Sequence, residues 1–242
     1  MNICGITRVR NEALIIADTI AHYLKFCAHI VLYDDASTDD TVAIAREVAG
    51  DRLTVIQGTK WAKVRRPEET RHRHLVLEKA RELGFEWALC FDADERLVGN
   101  LPDMTADGYT FRLFDGYLTE HRQEPYCRNL ARLPRMWGPE YRDILILFRV
   151  SASQFVGEGN RCPRTVGEIR RAPMYVKHFG KCLSVEHWEE TCRYYAAPGW
   201  PERYRSKWTA RMGKAIHQVS DFGRPLMTWN ELMERPDRWL EL

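Results

Sequence analysis

Two carboxylates stand two residues apart in the stretch WALCFDADERL, where Asp92 and Asp94 follow a run of apolar residues. In an extended segment, side chains two residues apart leave the same side of the backbone. Carboxylate oxygens are the ligands that Mg²⁺ and Mn²⁺ prefer, and these ions commonly bridge one or two carboxylates to a diphosphate. A lone triplet of this kind also occurs by chance in a helix cap or solvated loop, so it needs further support.

A second acidic group supplies that support in the stretch DDASTDD at residues 34–40, which follows the apolar run HIVLY. Asp39 fits turn formation and helix capping, whereas Asp35 fits capping and a ligand contact equally well. A third polar group, TRVRNE at residues 7–12, ends another apolar run. The three groups predict a common site if their strands are parallel.

The elements that would position these groups alternate between strand and helix. Apolar periodicity predicts strands over 2–9, 29–35, 52–58 and 85–94, and helices over 11–26, 37–50 and 67–84. Asn11 is the expected cap of the first helix, Gly50 the expected end of the second, and Pro67 the expected start of the third. This alternation predicts a parallel sheet, and ligands of such sheets bind outside the carboxyl ends of the strands.

Beyond residue 100 the pattern is looser. Strands are predicted over 109–118 and 143–151, with the intervening segment as a loop, and helix over 184–217 with a break at APGWPE. We expect one α/β domain over 1–242. It comprises residues 1–100, residues 101–183 and a helical, aromatic-rich segment at 184–242.

Composition excludes several classes of protein. The 242 residues carry 36 basic and 34 acidic side chains, which is too balanced for a general polyanion binder. Seven cysteines without a CxxC pair indicate reduced thiols rather than disulfides or structural zinc. No run of apolar residues is long enough to span a bilayer, and the first residues do not resemble an export signal. We therefore expect a cytoplasmic protein.

The first hundred residues resemble a known family. The segments TRVRNEALIIADTIAHYLKFCAHIVLYDDASTDDTVAIARE and RHRHLVLEKARELGFEWALCFDADERL are similar to the nucleotide-binding half of family 2 glycosyltransferases. These enzymes share the GT-A fold, a Rossmann-like, mixed, mainly parallel sheet flanked by helices, and they invert configuration at the transferred sugar. The DDASTDDT element resembles their DDGSTDGT turn, and FDADERL resembles their DxD strand end.

The resemblance implies that residues 1–100 are the nucleotide-binding half and residues 101–183 the acceptor-side half. It also implies how the donor nucleotide is bound. Asp34 would accept a hydrogen bond from the base, with Thr7, Arg8 and Glu12 forming the wall around base and ribose. Ala36 departs from the family pattern, which has glycine at this position.

The resemblance also implies a metal site for Mn²⁺ or Mg²⁺. Asp94 would hold the metal on the diphosphate, and Asp92 would contact ribose or metal. Arg73 occupies a position where related sequences often carry an arginine, and a guanidinium there could pair with phosphate in bidentate fashion.

The stretch YVKHFGK offers a third metal ligand, because GT-A enzymes often complete the site with a histidine near this point. His178 fits that role, and a partly buried structural histidine fits equally well. Lys177 and Lys181 could screen the leaving diphosphate, although the pattern favours surface lysines.

An inverting transfer needs a carboxylate base to deprotonate the acceptor hydroxyl. Glu158 lies in the glycine-flanked stretch FVGEGNR, a region that carries acceptor and base residues in related enzymes. Asp143 and Asp115 compete with it, and the family's motif for the base is not reproduced here.

These residues predict a metal-dependent inverting glycosyltransferase that uses a nucleoside diphosphate sugar, with a UDP-sugar as the favoured donor. A saccharide or glycolipid acceptor in surface polysaccharide assembly is expected. Two alternatives remain: a non-catalytic nucleotide-binding or scaffold protein with the GT-A fold, and a glycosyltransferase that acts on nucleic acid. The balanced charge disfavours nucleic acid.

The segment EHWEETCRYYAAPGWPERYRSKWTARMGKAIH is rich in aromatic residues and arginine. Its rings could stack on an acceptor sugar, seat the enzyme peripherally at the inner face of a membrane beside a lipid-linked acceptor, or cover the sheet. Packing against the sheet is the favoured interpretation.

Overall fold

A computed structural model describes residues 2–60, 65–120, 130, 135–159 and 161–242. The chain forms two compact units, each assembled from segments distant in sequence. The first unit contains Met1–Asp94, Gly99–Phe111 and Ile144–Met174. The second contains Glu95–Val98, Arg112–Asp143 and Tyr175–Leu242. The predicted functional division at residues 100 and 183 stays a prediction.

The secondary-structure elements follow in chain order. The strands are β1 (Ile3–Val9), β2 (His29–Asp34), β3 (Leu53–Gln57), β4 (Trp87–Cys90), β5 (Glu95–Val98), β6 (Gly108–Tyr117), β7 (Met136–Arg149), β8 (Ser153–Gln154), β9 (Arg164–Thr165), β10 (Ile169–His178) and β11 (Leu240–Glu241). The helices are α1 (Ile16–Tyr23), α2 (Thr41–Ala49), α3 (Arg65–Glu82), α4 (Val185–Ala196), α5 (Glu202–Thr209) and α6 (Trp229–Glu234).

The first unit contains the parallel ladder that the alternation predicts. Strand β1 pairs in parallel with β2 and β4, and β2 pairs in parallel with β3. Strand β7 continues the order antiparallel to β4. The sheet is therefore mixed, and the carboxyl ends of β1, β2, β3 and β4 share one edge. This arrangement confirms the predicted α/β class and the common position of the polar strand ends.

Helix α3 lies on this sheet through one continuous face. Val76, Leu77 and Ala80 are at most 1% exposed and belong to a core cluster with residues of β1, β2, β4 and β7. Burying each large apolar side chain stabilises the fold by about 1.5–3 kcal/mol. One turn earlier the same face carries His72 and Arg73, which are also buried. The helix therefore brings two basic side chains into the protein interior beside the sheet.

The first helix begins later than its sequence predicts. Helix α1 starts at Ile16, and Asn11 has a left-handed φ of 54° instead of capping it. The Asn11 side chain accepts the Thr38 N–H at 2.8 Å, and the Glu12 N–H donates to the Thr41 hydroxyl at 2.7 Å. The predicted Asn11 cap is wrong because these residues join the loop after β1 to the loop after β2.

The second unit contains β5 paired antiparallel with β10, and β11 paired in parallel with β7. Ser184 caps α4 by accepting the His187 N–H at 3.1 Å, and Thr228 with Glu231 forms a capping box at α6. The predicted helical segment with a break at APGWPE corresponds to α4 and α5.

The predicted loop before residue 143 is wrong for residues 136–142, because β7 begins at Met136. The Trp137 N–H donates to the Met227 carbonyl at 2.7 Å, and the Trp137 side chain is 1% exposed. Pairing with a partner ninety positions along the chain therefore overrides the local turn signals of Gly138 and Pro139.

Candidate functional site

Asp34 is buried at the end of β2 and anchors the turn that follows. Both carboxylate oxygens accept the Ser37 N–H, at 3.2 Å each, and the Gln57 amide donates to one of them. The Gly58 N–H donates to the Asp34 carbonyl at 2.8 Å, and a Cβ at position 58 would lie only 2.6 Å from that oxygen. The carboxylate is thus held at the carboxyl edge of the parallel strands. Its contact with the nucleotide base stays a prediction.

The turn after Asp34 accommodates alanine at the family's glycine position. Ala36 adopts a left-handed φ of 54°, which L-residues other than glycine adopt at a cost. The Arg10 guanidinium donates to the carbonyl oxygens of both Asp35 and Ala36. The departure at Ala36 therefore keeps a glycine-like backbone conformation, supported by an arginine from the neighbouring loop.

Asp35 forms a buried ion pair with Arg8, which neither the capping nor the ligand-contact interpretation predicts. Arg8 Nη2 donates to Asp35 Oδ2 at 2.5 Å, and the carboxylate is 2% exposed. Arg8 was predicted to form part of the base and ribose wall. The structure places its guanidinium between the ends of β1 and β2, where it neutralises Asp35.

His72 joins this ion pair and was not identified from the sequence. Its Nδ1 lies 3.4 Å from Arg8 Nε and 3.8 Å from Asp35 Oδ1, and its ring stacks on Tyr33 at 3.8 Å. Burial lowers the pKa of His72 to about 4, and the Asp35 carboxylate offsets only part of this effect. The imidazole is therefore neutral at pH 7. Its position one turn before Val76, on the buried face of α3, was the available signal.

Thr7 and Glu12 lie on β1 and in the loop after it. Thr7 is 1% exposed, and within the described part of the chain its hydroxyl has no hydrogen-bond partner. Glu12 is partly buried, and its backbone carbonyl accepts the first N–H groups of the α1 turn. Asp39 accepts the Thr41 N–H at 3.1 Å and the Ala13 N–H at 3.1 Å, which agrees with its predicted capping role.

Asp92 and Arg73 form the second charged group at the carboxyl edge. Arg73 Nη2 donates to Asp92 Oδ1 at 2.8 Å and lies 3.4 Å from Glu69 Oε1, while Nη1 lies 3.6 Å from Cys90 Sγ. Burial is the largest single effect on the Arg73 pKa and lowers it, but Asp92, Cys90 and Glu69 together outweigh burial and raise the pKa of the guanidinium. Arg73 Nε is buried with no hydrogen-bond partner among the described residues.

A loop beyond β7 also reaches Asp92. Arg161 Nη1 lies 3.6 Å from Asp92 Oδ2, so two guanidinium groups approach one carboxylate. Glu158 lies in the same loop and is exposed, between Gly157 with φ 82° and Gly159 with φ 66°. The structure therefore brings the loop of the predicted base to the end of β4. Arg161 was not identified from the sequence.

Asp94 lies in the turn after β4 and is partly exposed. The two carboxylates of the DAD stretch suit a hard cation that keeps water and phosphate oxygens in its remaining coordination positions. Within the described residues, no group of three or more His, Cys, Asp or Glu side chains is assembled around a metal position. The residues fit a divalent ion with few protein ligands, and the metal assignment stays a prediction.

His178 ends β10 in the second unit and is held by a carboxylate. Its Nδ1 lies 2.6 Å from Asp115 Oδ1, and Asp115 also pairs with Lys181 at 2.7 Å and Arg142 at 3.0 Å. Burial favours the neutral acid, but the surrounding cations hold the pKa of Asp115 well below its usual range. Asp115 is a buried counter-ion, which makes it a poor competitor of Glu158 for the role of base.

Lys177 and Lys181 are not the surface lysines that the sequence favours. Lys181 bridges Asp115 and Asp221 at 2.7 Å each, and these carboxylates outweigh burial and raise its pKa. Lys177 lies 4.5 Å from the ring centroid of Trp229, and burial lowers its pKa to about 8.

Comparison with known sequences identifies the first part of the chain. Residues 6–100 match Glycosyl transferase family 2. The similarity to this family therefore covers the first part of the chain. The match includes Asp34, Asp92 and Asp94, and it confirms the predicted family and the enzyme class, glycosyl transfer. Residues 101–242 lie outside the match. No curated protein sequence matches the chain significantly.

Three solved structures show how far this chain resembles known folds. Staphylococcus aureus TarS 1-349 is 12% identical with a TM-score of 0.48, covering 89% of this chain and 71% of TarS. Its complex with UDP is 12% identical with a TM-score of 0.47, covering 92% and 74%. A putative nucleotide-diphospho-sugar transferase from Desulfovibrio desulfuricans G20 is 11% identical with a TM-score of 0.37, covering 98% and 96%. At these TM-scores the likeness carries no argument about donor, acceptor or mechanism.

Proposed function

We propose that this family 2 glycosyltransferase is metal-dependent and inverting, and that it moves a sugar from a nucleoside diphosphate sugar to a saccharide or lipid-linked acceptor. The favoured donor is a UDP-sugar. The observation that carries the proposal is the Asp92 carboxylate at the end of β4, held by the buried Arg73 and approached by Arg161. Two guanidinium groups at Asp92, beside a second carboxylate, Asp94, suit a donor diphosphate that is bound through a divalent ion.

The nucleotide would lie at the carboxyl ends of β1 and β2. Asp34 is assigned to the base, and the backbone and side chains of Thr7, Arg8 and Glu12 to the wall around base and ribose. The buried Thr7 hydroxyl supports this assignment, because an unsatisfied polar group is stabilised when a ligand supplies its partner. In this wall the charge of Arg8 is balanced by its ion pair with Asp35.

Asp94 is assigned to a bound Mn²⁺ or Mg²⁺, with Asp92 on the metal or the ribose and His178 as a further ligand. The contact of His178 Nδ1 with Asp115 supports this, since metal-binding histidines usually donate their other ring N–H to a carboxylate. When bound, the ion would polarise the diphosphate and neutralise its developing charge.

Glu158 is assigned as the base that takes the proton of the acceptor hydroxyl. Its exposure leaves it accessible to an acceptor, and its loop reaches Asp92 through Arg161. Asp143 remains the competing carboxylate, since it is also partly exposed.

Donor hydrolysis tests the proposal against a non-catalytic nucleotide-binding protein. The enzyme should release UDP from a UDP-sugar in the presence of Mn²⁺, and calorimetry should show that UDP binds more tightly with Mn²⁺ than without it. Asp94→Ala should abolish this metal dependence, whereas Asp40→Ala, at an exposed acid whose side chain makes no cap hydrogen bond, should retain it. Metal-dependent binding of UDP without any release from a panel of nucleotide sugars would favour the scaffold alternative.

A peripheral membrane contact, beside a lipid-linked acceptor, is proposed for the hairpin of α4 and α5. Its partly exposed rings and exposed basic residues have the composition of an interfacial segment. No helix within the described residues is both long and apolar enough to cross a membrane.

A further inference from the structure

The two guanidinium groups at Asp92 differ in their burial. Arg73 Nη2 donates to Asp92 Oδ1 at 2.8 Å, and its side chain is 4% exposed. Arg161 Nη1 lies 3.6 Å from Asp92 Oδ2, and its side chain is 26% exposed. The carboxylate therefore has an inner cation within the protein and an outer cation at the surface where a ligand would approach.

Further contacts hold Arg73, the inner cation, in its position. Arg73 also lies 3.4 Å from Glu69 and 3.6 Å from the Cys90 thiol. Separating the buried Arg73 guanidinium from these partners would leave a buried charge uncompensated, which strongly destabilises a fold. The structure therefore favours Arg73 as a residue that positions Asp92 over its predicted role as a direct phosphate ligand.

A phosphate group can replace Asp92 as the partner of Arg161, the outer cation. A separation of 3.6 Å is longer than a hydrogen bond, so the Arg161 contact with Asp92 is a Coulombic one. A phosphate group offers a guanidinium two parallel hydrogen bonds of about 2.7–2.9 Å, which is a stronger interaction. A diphosphate beside Asp92 would therefore outcompete the carboxylate for Arg161.

The backbone near Arg161 is constrained by core packing on one side and by two glycine turns on the other. Cys162 packs against the core cluster of the first unit, which holds the backbone next to Arg161. On the other side, Gly157 and Gly159 have left-handed φ values of 82° and 66°, where side chains other than glycine are disfavoured. The backbone that carries the Arg161 side chain is therefore held in place. Glu158 lies in the same loop.

We propose that Arg161 is a catalytic residue that binds the donor diphosphate and stabilises it as the leaving group. The inference rests on the proposed function, because only a nucleoside diphosphate sugar brings this group to Asp92. In the transfer, the acceptor oxygen bonds to the anomeric carbon, and the bond from that carbon to the diphosphate breaks. The diphosphate takes the electron pair and Arg161 neutralises its added charge, while the acceptor proton passes to the carboxylate base.

Calorimetry with UDP and UMP, each with Mn²⁺, tests this assignment on the parent enzyme and on three variants. Arg161→Ala should weaken UDP binding about tenfold or more and leave UMP, which lacks the second phosphate, within about twofold. Arg161→Lys should bind UDP with intermediate affinity because it keeps the charge and loses the bidentate fork. Arg164→Ala, at an exposed arginine three residues on, should match the parent.

Two results would overturn the inference while the proposed function stands. One is unchanged UDP affinity in Arg161→Ala, and the other is an equal loss for UDP and UMP, which would mean that Arg161 supports the nucleotide pocket as a whole. Thermal unfolding without ligand checks that Arg161→Ala remains folded, and the lysine variant provides the same comparison with less change. A parent enzyme that binds no nucleoside diphosphate from a panel would overturn the proposed function as well.

Discussion

At the scale of single residues, the turn after β2 stores backbone strain at Ala36. Its φ of 54° lies in the left-handed region, where an L-residue other than glycine costs about 1–2 kcal/mol. Ala36→Gly should therefore stabilise the protein by up to about 1 kcal/mol, after the greater chain entropy of unfolded glycine is subtracted. Urea unfolding measures the change in free energy of unfolding.

The matched control is Ala43→Gly, at an exposed position within α2. Glycine there should destabilise the protein by about 1 kcal/mol. Alanine adopts the helical φ without strain, so no relief of strain offsets the greater chain entropy of unfolded glycine. If both glycine variants destabilise the protein to the same extent, the Ala36 conformation carries no strain.

His72 makes the first unit sensitive to acid. Its pKa is about 4 in the folded protein against 6.5 in its ordinary state, so the unfolded chain binds the proton more readily between these values. The stabilising effect of a neutral His72 is complete above pH 6.5 and is lost as the pH falls towards 4. At 1.36 kcal/mol for each pKa unit, the full effect is on the order of 3 kcal/mol.

The experiment compares the free energy of unfolding at pH 7.5 and pH 5 in the parent and in His72→Gln. The variant should be less stable at pH 7.5, because Gln loses the stack on Tyr33, and it should lose less stability on acidification than the parent. His74→Gln, at a partly exposed position on the same helix, controls for the histidine-to-glutamine change itself. Parallel pH curves for the parent and His72→Gln would show that His72 does not titrate in this range.

At the scale of secondary-structure elements, the hairpin of α4 and α5 combines an aromatic cluster with exposed positive charge. Edge-to-face contacts and one stacked pair, Tyr195 on Trp208, connect the rings of Tyr194, Tyr195, Trp200, Tyr204 and Trp208. The exposed basic residues of the same hairpin are Arg193, Arg203 and Lys207. Basic side chains near an anionic lipid surface each contribute about 1 kcal/mol to binding.

We expect the protein to sediment with vesicles that contain phosphatidylglycerol, and the binding to weaken with salt. Arg203→Glu combined with Lys207→Glu should reduce the vesicle-bound fraction at least about tenfold. Arg46→Glu combined with Arg171→Glu makes the same change in net charge at exposed positions elsewhere and should have little effect. Equal losses in both double variants would indicate a response to total charge and no specific membrane contact by the hairpin.

The elements of the first unit were largely predictable, whereas their limits were not. Apolar periodicity predicts strands β1 to β4 and helices α2 and α3. Each of these helices buries one face, and each strand buries one face or all of its residues. Helix α1 begins late because Asn11 bonds to the loop after β2. Strand β7 extends back to Met136 because Trp137 pairs with Met227. Both differences depend on partners that are distant in sequence.

At the scale of the whole molecule, the assignments of Asp94 and His178 require two residues 84 positions apart in the sequence to bind one metal ion. We expect His178→Ala to lower Mn²⁺ affinity in the presence of UDP and to lower transfer activity in parallel. It should change the free energy of unfolding without ligand by no more than about 1 kcal/mol, since the side chain is partly exposed.

A double-mutant cycle with Asp94→Ala isolates the connection between the two residues. Ligands of one ion are energetically coupled, so the double variant should lose less Mn²⁺ affinity than the sum of the two single losses. Losses that add, measured by calorimetry with UDP, would show that His178 acts on folding or on the Asp115 ion pair instead.

The local sequence determines which groups of this protein can act as site residues. Asp34, Asp92 and Asp94 follow apolar strands, and parallel strands bring their carboxyl ends to one edge, so their position follows from periodicity and chain direction alone. Only the tertiary structure decides which charges meet. Arg8 pairs with Asp35 across 27 residues, Arg73 with Asp92 across 19, and His178 with Asp115 across 63. The local sequence does not predict such pairs, because the two residues approach each other only in the folded chain. Burial and side-chain length then determine which charged groups meet.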